Sequence, residues 1–204
     1  MSLTQWLDQV LSSRARLAVL GAGALLVVAA FLPLWQITMF ANQFPEGLRL
    51  SIYTYQLVGG NGGADLQGIN ILNHYIGMRD ISAADFVEMK FIPFALGVFF
   101  LLALRTTVFA RVRDLVDLTV LFAYFSLFSL GVFWYRMYTY GHQLSPEAPI
   151  KVAPFTPPVF GSQQIANFEV HSYPGLGSAL LGGFALALVT LLVLTARRHR
   201  LIGA

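Results

Sequence analysis

GSALLGGFALALVTLLVLTARRHR, Gly177–Arg200, runs twenty residues without a charged side chain and then stops on a basic cluster. As a helix rising 1.5 Å per residue it is about 30 Å long, the thickness of bilayer hydrocarbon. The arginines that end it mark a cytoplasmic flank. Three more runs are long and mainly apolar: Leu17 to Phe40, closing on Leu34-Trp35; Phe91 to Phe109, with Arg105 near its inner end; and Leu115 to Tyr138, closing on an aromatic cluster of Trp134, Tyr135, Tyr138 and Tyr140. Trp and Tyr at run ends suit the headgroup interface. With 56% hydrophobic and only 11% charged residues, against about 25% charged in an ordinary soluble domain, the chain cannot cover a globule with charge.

The fold expected from this pattern is an all-α integral membrane protein of four transmembrane helices. Its segments are a cytoplasmic amphipathic N-terminus (1–16), a first span (17–40), outer loop one (41–82), a second span (83–109), a cytoplasmic turn (110–114), a third span (115–140), outer loop two (141–176), a fourth span (177–196) and a cytoplasmic tail (197–204). The first run lacks a small-residue cleavage site after a short core, so it reads as an uncleaved span and not a signal peptide. Gly21-x-Gly23 and Gly182-Gly183 suggest close helix packing.

Orientation follows the basic residues. Arg14, Arg16, Arg105, Arg111, Arg113, Arg197, Arg198 and Arg200 flank the spans on one side, while Arg49, Arg79, Lys90, Arg136 and Lys151 lie on the other. Acidic residues are skewed oppositely. Both termini are therefore expected inside, in a multi-pass protein of a bacterial inner membrane with its two long loops outside. The net charge of +3 reads as topology, not as nucleic-acid binding.

The two loops are too long for simple helix connections. Loop one holds the alternating stretch Arg49–Val58 and then Gly59-Gly60-Asn61-Gly62-Gly63, a strand followed by a turn signal. Loop two is rich in proline up to Pro158 and then offers Ile165–His171 as a second strand. The two loops are expected to touch, with Phe155, Phe160, Ile165 and Phe168 meeting Ile52, Tyr53, Tyr55 and Leu57, and a small sheet across both is left open.

The absence of cysteine excludes disulfides, thiolate metal sites and covalent c-type haem. A metal would have to use His, Met or carboxylate. His74 and Met78 are four apart and on a helical turn would share a face; imidazole with thioether suits Cu(I). Asp85, Glu88, Met89 and Ile92 would share a face of the second helix, headed by a capping box of Ser82 and Asp85. The candidate metal residues are thus His74, Met78, Glu88 and Met89, with copper as the possible cofactor. The plainer alternative is interfacial packing by His74 and Met78, and a solvated first turn for the acids. His142 and His171 read as surface histidines. None of the four histidines sits within an apolar run, so no intramembrane haem is expected, and the glycine-rich segments lack the context of a nucleotide loop. No catalytic residues are expected.

At Leu34-Trp35-Gln-Ile, Gln43-Phe-Pro45-Glu46-Gly47-Leu, Gly68–Met78, Pro154-Phe-Thr-Pro157-Pro158 and Ile165-Ala-Asn167-Phe, the chain resembles the small multi-span membrane proteins encoded with nitrous-oxide reductase maturation genes. The resemblance implies a part in copper delivery, or in electron supply to a periplasmic copper enzyme, and the role expected for the chain is that of a non-enzymatic accessory protein. Its implied partners are membrane lipid, a periplasmic copper protein or cytochrome c, and other membrane subunits. It supports His74 and Met78 as functional positions. The alternative function is a non-catalytic anchoring subunit of a respiratory or redox complex.

Overall fold

The computed structural model describes residues 3–203. Met1, Ser2 and Ala204, at the ends of the expected N-terminal segment and tail, lie outside the described residues, as do the side chains of Leu3 and of residues 199–203. The elements in chain order are α1 (Leu3–Leu7), α2 (Ser13–Ala29), β1 (Trp35–Ala41), β2 (Phe44–Ile52), β3 (Leu57–Gly59), α3 (Ala64–Tyr75), α4 (Ile92–Phe109), α5 (Val112–His142), β4 (Gly161–Ile165), β5 (Phe168–Pro174) and α6 (Leu176–Gly203).

The all-α, four-span expectation is corrected on two counts. Among the described residues three helices, α4, α5 and α6, are long and apolar enough to cross a membrane, and a five-stranded antiparallel sheet of order β3-β2-β1-β5-β4 accompanies them. The first apolar run breaks in two. Helix α2 stops at Ala29 after 17 residues, about 26 Å against a hydrocarbon core of about 30 Å. Pro33, which supplies no N–H and disfavours helix at the residue before it, separates it from a strand. In that strand, Trp-Gln-Ile-Thr-Met-Phe-Ala alternates, burying Ile37 and Met39. The second span begins at Ile92, with a proline in its first turn, and not at 83. Ser82 does cap, accepting from the Ala84 N–H at 3.3 Å, but what it caps is a single 3₁₀ turn over Ala83–Asp85. Asp85, Glu88, Met89 and Ile92 therefore do not share one α-helical face.

Helix α2 packs against α4 and α6, and α5 closes onto both. Their shared core centres on Leu26, Leu96, Phe99, Leu118, Phe122, Phe184 and Leu188. Phe122 meets Phe99 and Phe184 edge to face, at 5.2 and 4.7 Å between ring centres, the arrangement that sets ring edges against ring faces. Of the expected close-packing glycines Gly23 does this most tightly, since a Cβ there would sit 3.2 Å from that of Ala103; one at Gly183 would make ordinary contact with Leu25 at 3.6 Å, whereas Gly21 and Gly182 face open space. At one end of the bundle the N-terminal segment lies across the α4–α5 turn. Leu11 N–H donates to the Ala110 carbonyl and Arg16 Nε to that of Thr107.

At the other end stands the sheet, and its hydrogen bonding joins the two loops. β1, from the outer end of the expected first span, pairs with β2 of loop one on one side and with β5 of loop two on the other over its whole length, Trp35 opposite Pro174 and Ala41 opposite Phe168. The junctions below these strands are also tied: Gly175 N–H donates to the Leu34 carbonyl at 2.8 Å, Gly177 N–H to Pro33 at 2.9 Å and Ser178 Oγ to Leu34 at 2.6 Å. Trp35 Nε1 donates to Ser172 Oγ at 2.8 Å, and its ring lies 5.0 Å from that of Phe133 on α5. Thr54, fully buried, donates to the Ala30 carbonyl at 2.8 Å. The inner face of the sheet packs on α3 and on the end of α5 in a second core containing Ile37, Leu50, Ile69, Tyr140, Ile165 and Val170.

Candidate functional site

The glycine run before α3 builds its start. Gly62 and Gly63 take φ of +66° and +99°, which only glycine adopts without strain. Their turn brings Asp65, only 3% exposed, under β2. One Asp65 oxygen accepts the Arg49 N–H at 2.9 Å and the other accepts Asn61 Nδ2 at 2.8 Å. Helix α3 ends at Tyr75 and Gly77 turns the chain at φ +79°, so the four-residue spacing of His74 and Met78 does not put them on one face. His74 is exposed and Met78 is 8% exposed in the second core. The two side chains thus point to different surroundings, one to the surface and one to the core. Loop two does reach this turn, through Ser145 N–H to the Gly77 carbonyl and Ile150 N–H to Tyr75.

Glu88 and Met89 occupy a second 3₁₀ turn, Val87–Lys90, ahead of α4. Met89 is buried. Glu88 is held by Arg136 of α5, whose Nε and Nη2 both donate to Oε1 at 3.0 and 2.7 Å, while its buried Oε2 has no partner. Around that pair, the Arg136 guanidinium stands 5.8 Å from the Phe86 ring centre and Phe86 stacks on Tyr140. Tyr140 donates to Asp85 at 3.3 Å and carries the Arg79 guanidinium over its face at 4.4 Å. Two acids and two arginines thus lie in one electrically balanced cluster at the sheet-side end of α5. Glu88 is committed to an arginine and His74 to the surface, so the expected metal residues are not gathered at one point. Among the described residues no group of three His, Asp or Glu is placed to hold a metal ion.

Two features of the sheet were not foreseen. Beneath it lies a cavity of about 40 Å³. Met39, Met78 and Met137 all line it, with Asn73, Phe86 and Tyr140. The three methionines stand 39 and 59 residues apart (78 − 39 and 137 − 78) in the sequence, on β1, the turn after α3, and α5, so no local spacing could have joined them. Asn73 is 0% exposed and neither its amide oxygen nor its nitrogen has a protein partner. On the outward face of the sheet, Phe40, His171, Tyr173 and Phe160 form a chain of edge-to-face ring contacts at 5.2, 6.5 and 5.5 Å between centres. Phe160 is 70% and Tyr173 43% exposed. His171 Nε2 lies 2.9 Å from Glu169 Oε1, close enough for an ion pair without hydrogen-bond geometry. Alternation along β5, which buries Phe168, Val170 and Ser172, would have placed His171 and Tyr173 outward together. Comparison with protein-family models, characterised proteins and solved structures finds no match to this chain.

Proposed function

We propose that this protein is a non-catalytic accessory subunit that resides in a bacterial inner membrane and holds its sheet outside, as the docking face for a redox partner. The basic flanks of the bundle, on the end carrying the Ala110–Arg111 turn, would lie in the cytoplasm. The observation that carries the proposal is the outward strip of Phe40, His171, Tyr173 and Phe160. Large rings ordered against one another and left accessible are the residues that dominate protein interfaces, and they lose little side-chain entropy when covered. The resemblance to proteins of nitrous-oxide reductase maturation names the partner class, a periplasmic copper protein or cytochrome c. Of the charges clustered below the sheet, Glu88 is paired with Arg136 and both Asp85 and Arg79 are engaged by Tyr140, which suits a scaffold better than an active site.

A photo-crosslinking residue at Phe160 or Tyr173 in native membranes tests this, with Tyr124, 71% exposed on α5, as the control within a span. A discrete adduct with a redox protein from the sheet positions, and none from Tyr124, is the expected result. Adducts with lipid alone, or with second copies of the chain alone, would overturn it.

A further inference from the structure

We infer that a cleft between α4 and α5, at the end of the bundle carrying the Ala110–Arg111 turn, is a binding site for one phospholipid with an ethanolamine headgroup. Its place at the inner membrane surface rests on the orientation proposed above, and a docked partner is not required.

The cleft holds about 380 Å³, inside the roughly 300–1,000 Å³ of sites for organic ligands. Two helix faces make it. Leu102, Arg105 and Thr106 line it from α4, and Asp114, Asp117 and Leu121 from α5, at helical spacings that put each set on one face. Thr106, 2% exposed, joins the two helices, its Oγ1 donating to the Leu102 carbonyl at 2.9 Å and standing 3.4 Å from that of Asp114. Arg105 is four residues (109 − 105) from the end of α4 and Asp117 five (117 − 112) from the start of α5. At 1.5 Å per residue both sit about 6–8 Å inside the helix ends, the depth where headgroups meet acyl chains. Apolar neighbours are exposed there, Leu101 at 63% and Leu121 at 49%, so lipid chains reach the rim of the cleft.

The charges select the headgroup. Arg105 Nη2 stands 3.2 Å from Asp114 Oδ1, and that pair is neutral. Asp117 is left over. It is exposed, no ion pair among the described residues includes it, and Arg113, four residues before it, is taken by Asp8 at 2.8 Å. A carboxylate facing lipid is costly without a cation. Arg105, with its side chain 58% exposed, keeps guanidinium donors beyond the one that faces Asp114. A phosphodiester accepts from those donors, and the primary ammonium of the same headgroup donates to Asp117. A choline headgroup has no N–H to give. A glycerol headgroup brings the negative phosphate with no cation for Asp117. Leu102 and Leu121 offer apolar surface to the first acyl carbons.

Native mass spectrometry of the full chain, released from detergent micelles holding equal amounts of dioleoyl phosphatidylethanolamine, phosphatidylcholine and phosphatidylglycerol, is the test. One ethanolamine lipid per chain should be retained, about tenfold over either of the others, or about 1.4 kcal/mol. Asp117→Asn, nearly isosteric at an exposed position, should erase that preference, and Arg105→Gln should weaken the ethanolamine and choline lipids alike. Glu147→Gln, at an exposed acid in loop two, should change nothing. Equal retention of the three lipids, or an ethanolamine preference that survives Asp117→Asn, would overturn the site and leave the cleft to unselected lipid. Best retention of the glycerol lipid would overturn it in favour of general attraction to the basic end. A lipid-free dimer would overturn it in favour of a second copy of the chain in the cleft. If Arg105→Gln, which also breaks the Asp114 pair, does not fold, the wild-type ranking and Asp117→Asn still decide. Headgroup selection in micelles depends neither on the leaflet nor on a partner, so failure here and failure of docking at the sheet are distinguishable.

Discussion

Replacing Asp65 with alanine should loosen the seam between β2, β3 and α3 by about 2–3 kcal/mol. The carboxylate accepts two hydrogen bonds, from the Arg49 backbone at 2.9 Å and from Asn61 Nδ2 at 2.8 Å. Bonds to a charged group are worth about 1.5–3 kcal/mol each. The two do not count equally, because Asn61 is exposed and its amide can turn to water, whereas the Arg49 N–H lies under the residue that it loses. The larger part of the cost is therefore that one bond. The favourable placement of an acid in the first turn of α3 adds about 0.3–1 kcal/mol. Asp65→Asn keeps an acceptor for Arg49, and the Asn61 amide can flip to meet the new nitrogen, so its cost should stay near 1 kcal/mol. Equilibrium unfolding in detergent gives the totals. Amide exchange gives the location, with Arg49 and Gly60, whose N–H donates to the Arg49 carbonyl, losing protection before the bundle does. If Asp65→Ala unfolds at the wild-type denaturant concentration with the Arg49 amide equally protected, the carboxylate is not the clamp described here.

A Cβ at Gly141 would overlap the Phe155 carbonyl, so Gly141→Ala should cost at least about 1–3 kcal/mol by overpacking, measured by the same unfolding assay, while Gly131→Ala, with open space around it, should be neutral or stabilising. The Glu88–Arg136 pair, with both side chains less than a third exposed, should show a coupling energy of about 1–2 kcal/mol in a double-mutant cycle of Glu88→Gln and Arg136→Met; a coupling near zero would mean that the 3₁₀ turn is held to α5 by Phe86 and Tyr140 instead.

Much of the architecture could be read from the chain because its signals are long. Long apolar runs, with no charge in α6 and charges only near the ends in α4 and α5, marked those three helices, and alternation over 49–58 and 165–171 marked strands that do meet through β1. Ile165 and Phe168 are buried with Ile52 and Leu57 packed nearby, as expected, although Phe160 and Tyr55 stay exposed. The errors came where one composition serves two structures. Trp35–Ala41 is apolar enough to prolong a helix, and only Pro33 betrayed the strand. Helix α3 was obscured because its glycine-rich start reads as loop. The pairing of His74 with Met78 assumed a helix through Gly77, where the backbone turns left-handed. Ser82 and Asp85 fit a capping motif that is equally satisfied by one 3₁₀ turn. The methionine cavity was invisible for a different reason, since it depends on three elements brought together only by the tertiary fold.

The union of sheet and bundle has a mechanical consequence for any partner. Strand β1 leaves α2 and strand β5 enters α6; the helices pack on each other, and the strands are hydrogen-bonded in register from Trp35 to Ala41. A one-residue slip between those strands would turn either Ile37 and Met39 of β1 or Val170 of β5 outward, and the polar alternates of that strand inward. Such a slip is opposed at the base, where the carbonyls of Pro33 and Leu34 already accept from Gly177, Gly175 and Ser178. A Cβ at Gly175 would strike the Pro33 carbonyl, so the close approach that makes those bonds depends on glycine at that position. The aromatic strip on the outer face is consequently fixed in position relative to the helices. A protein docked on Phe40, His171, Tyr173 and Phe160 would be held at a defined place above the membrane, directly over the cavity lined by Met39 on the opposite face of the same strand as Phe40.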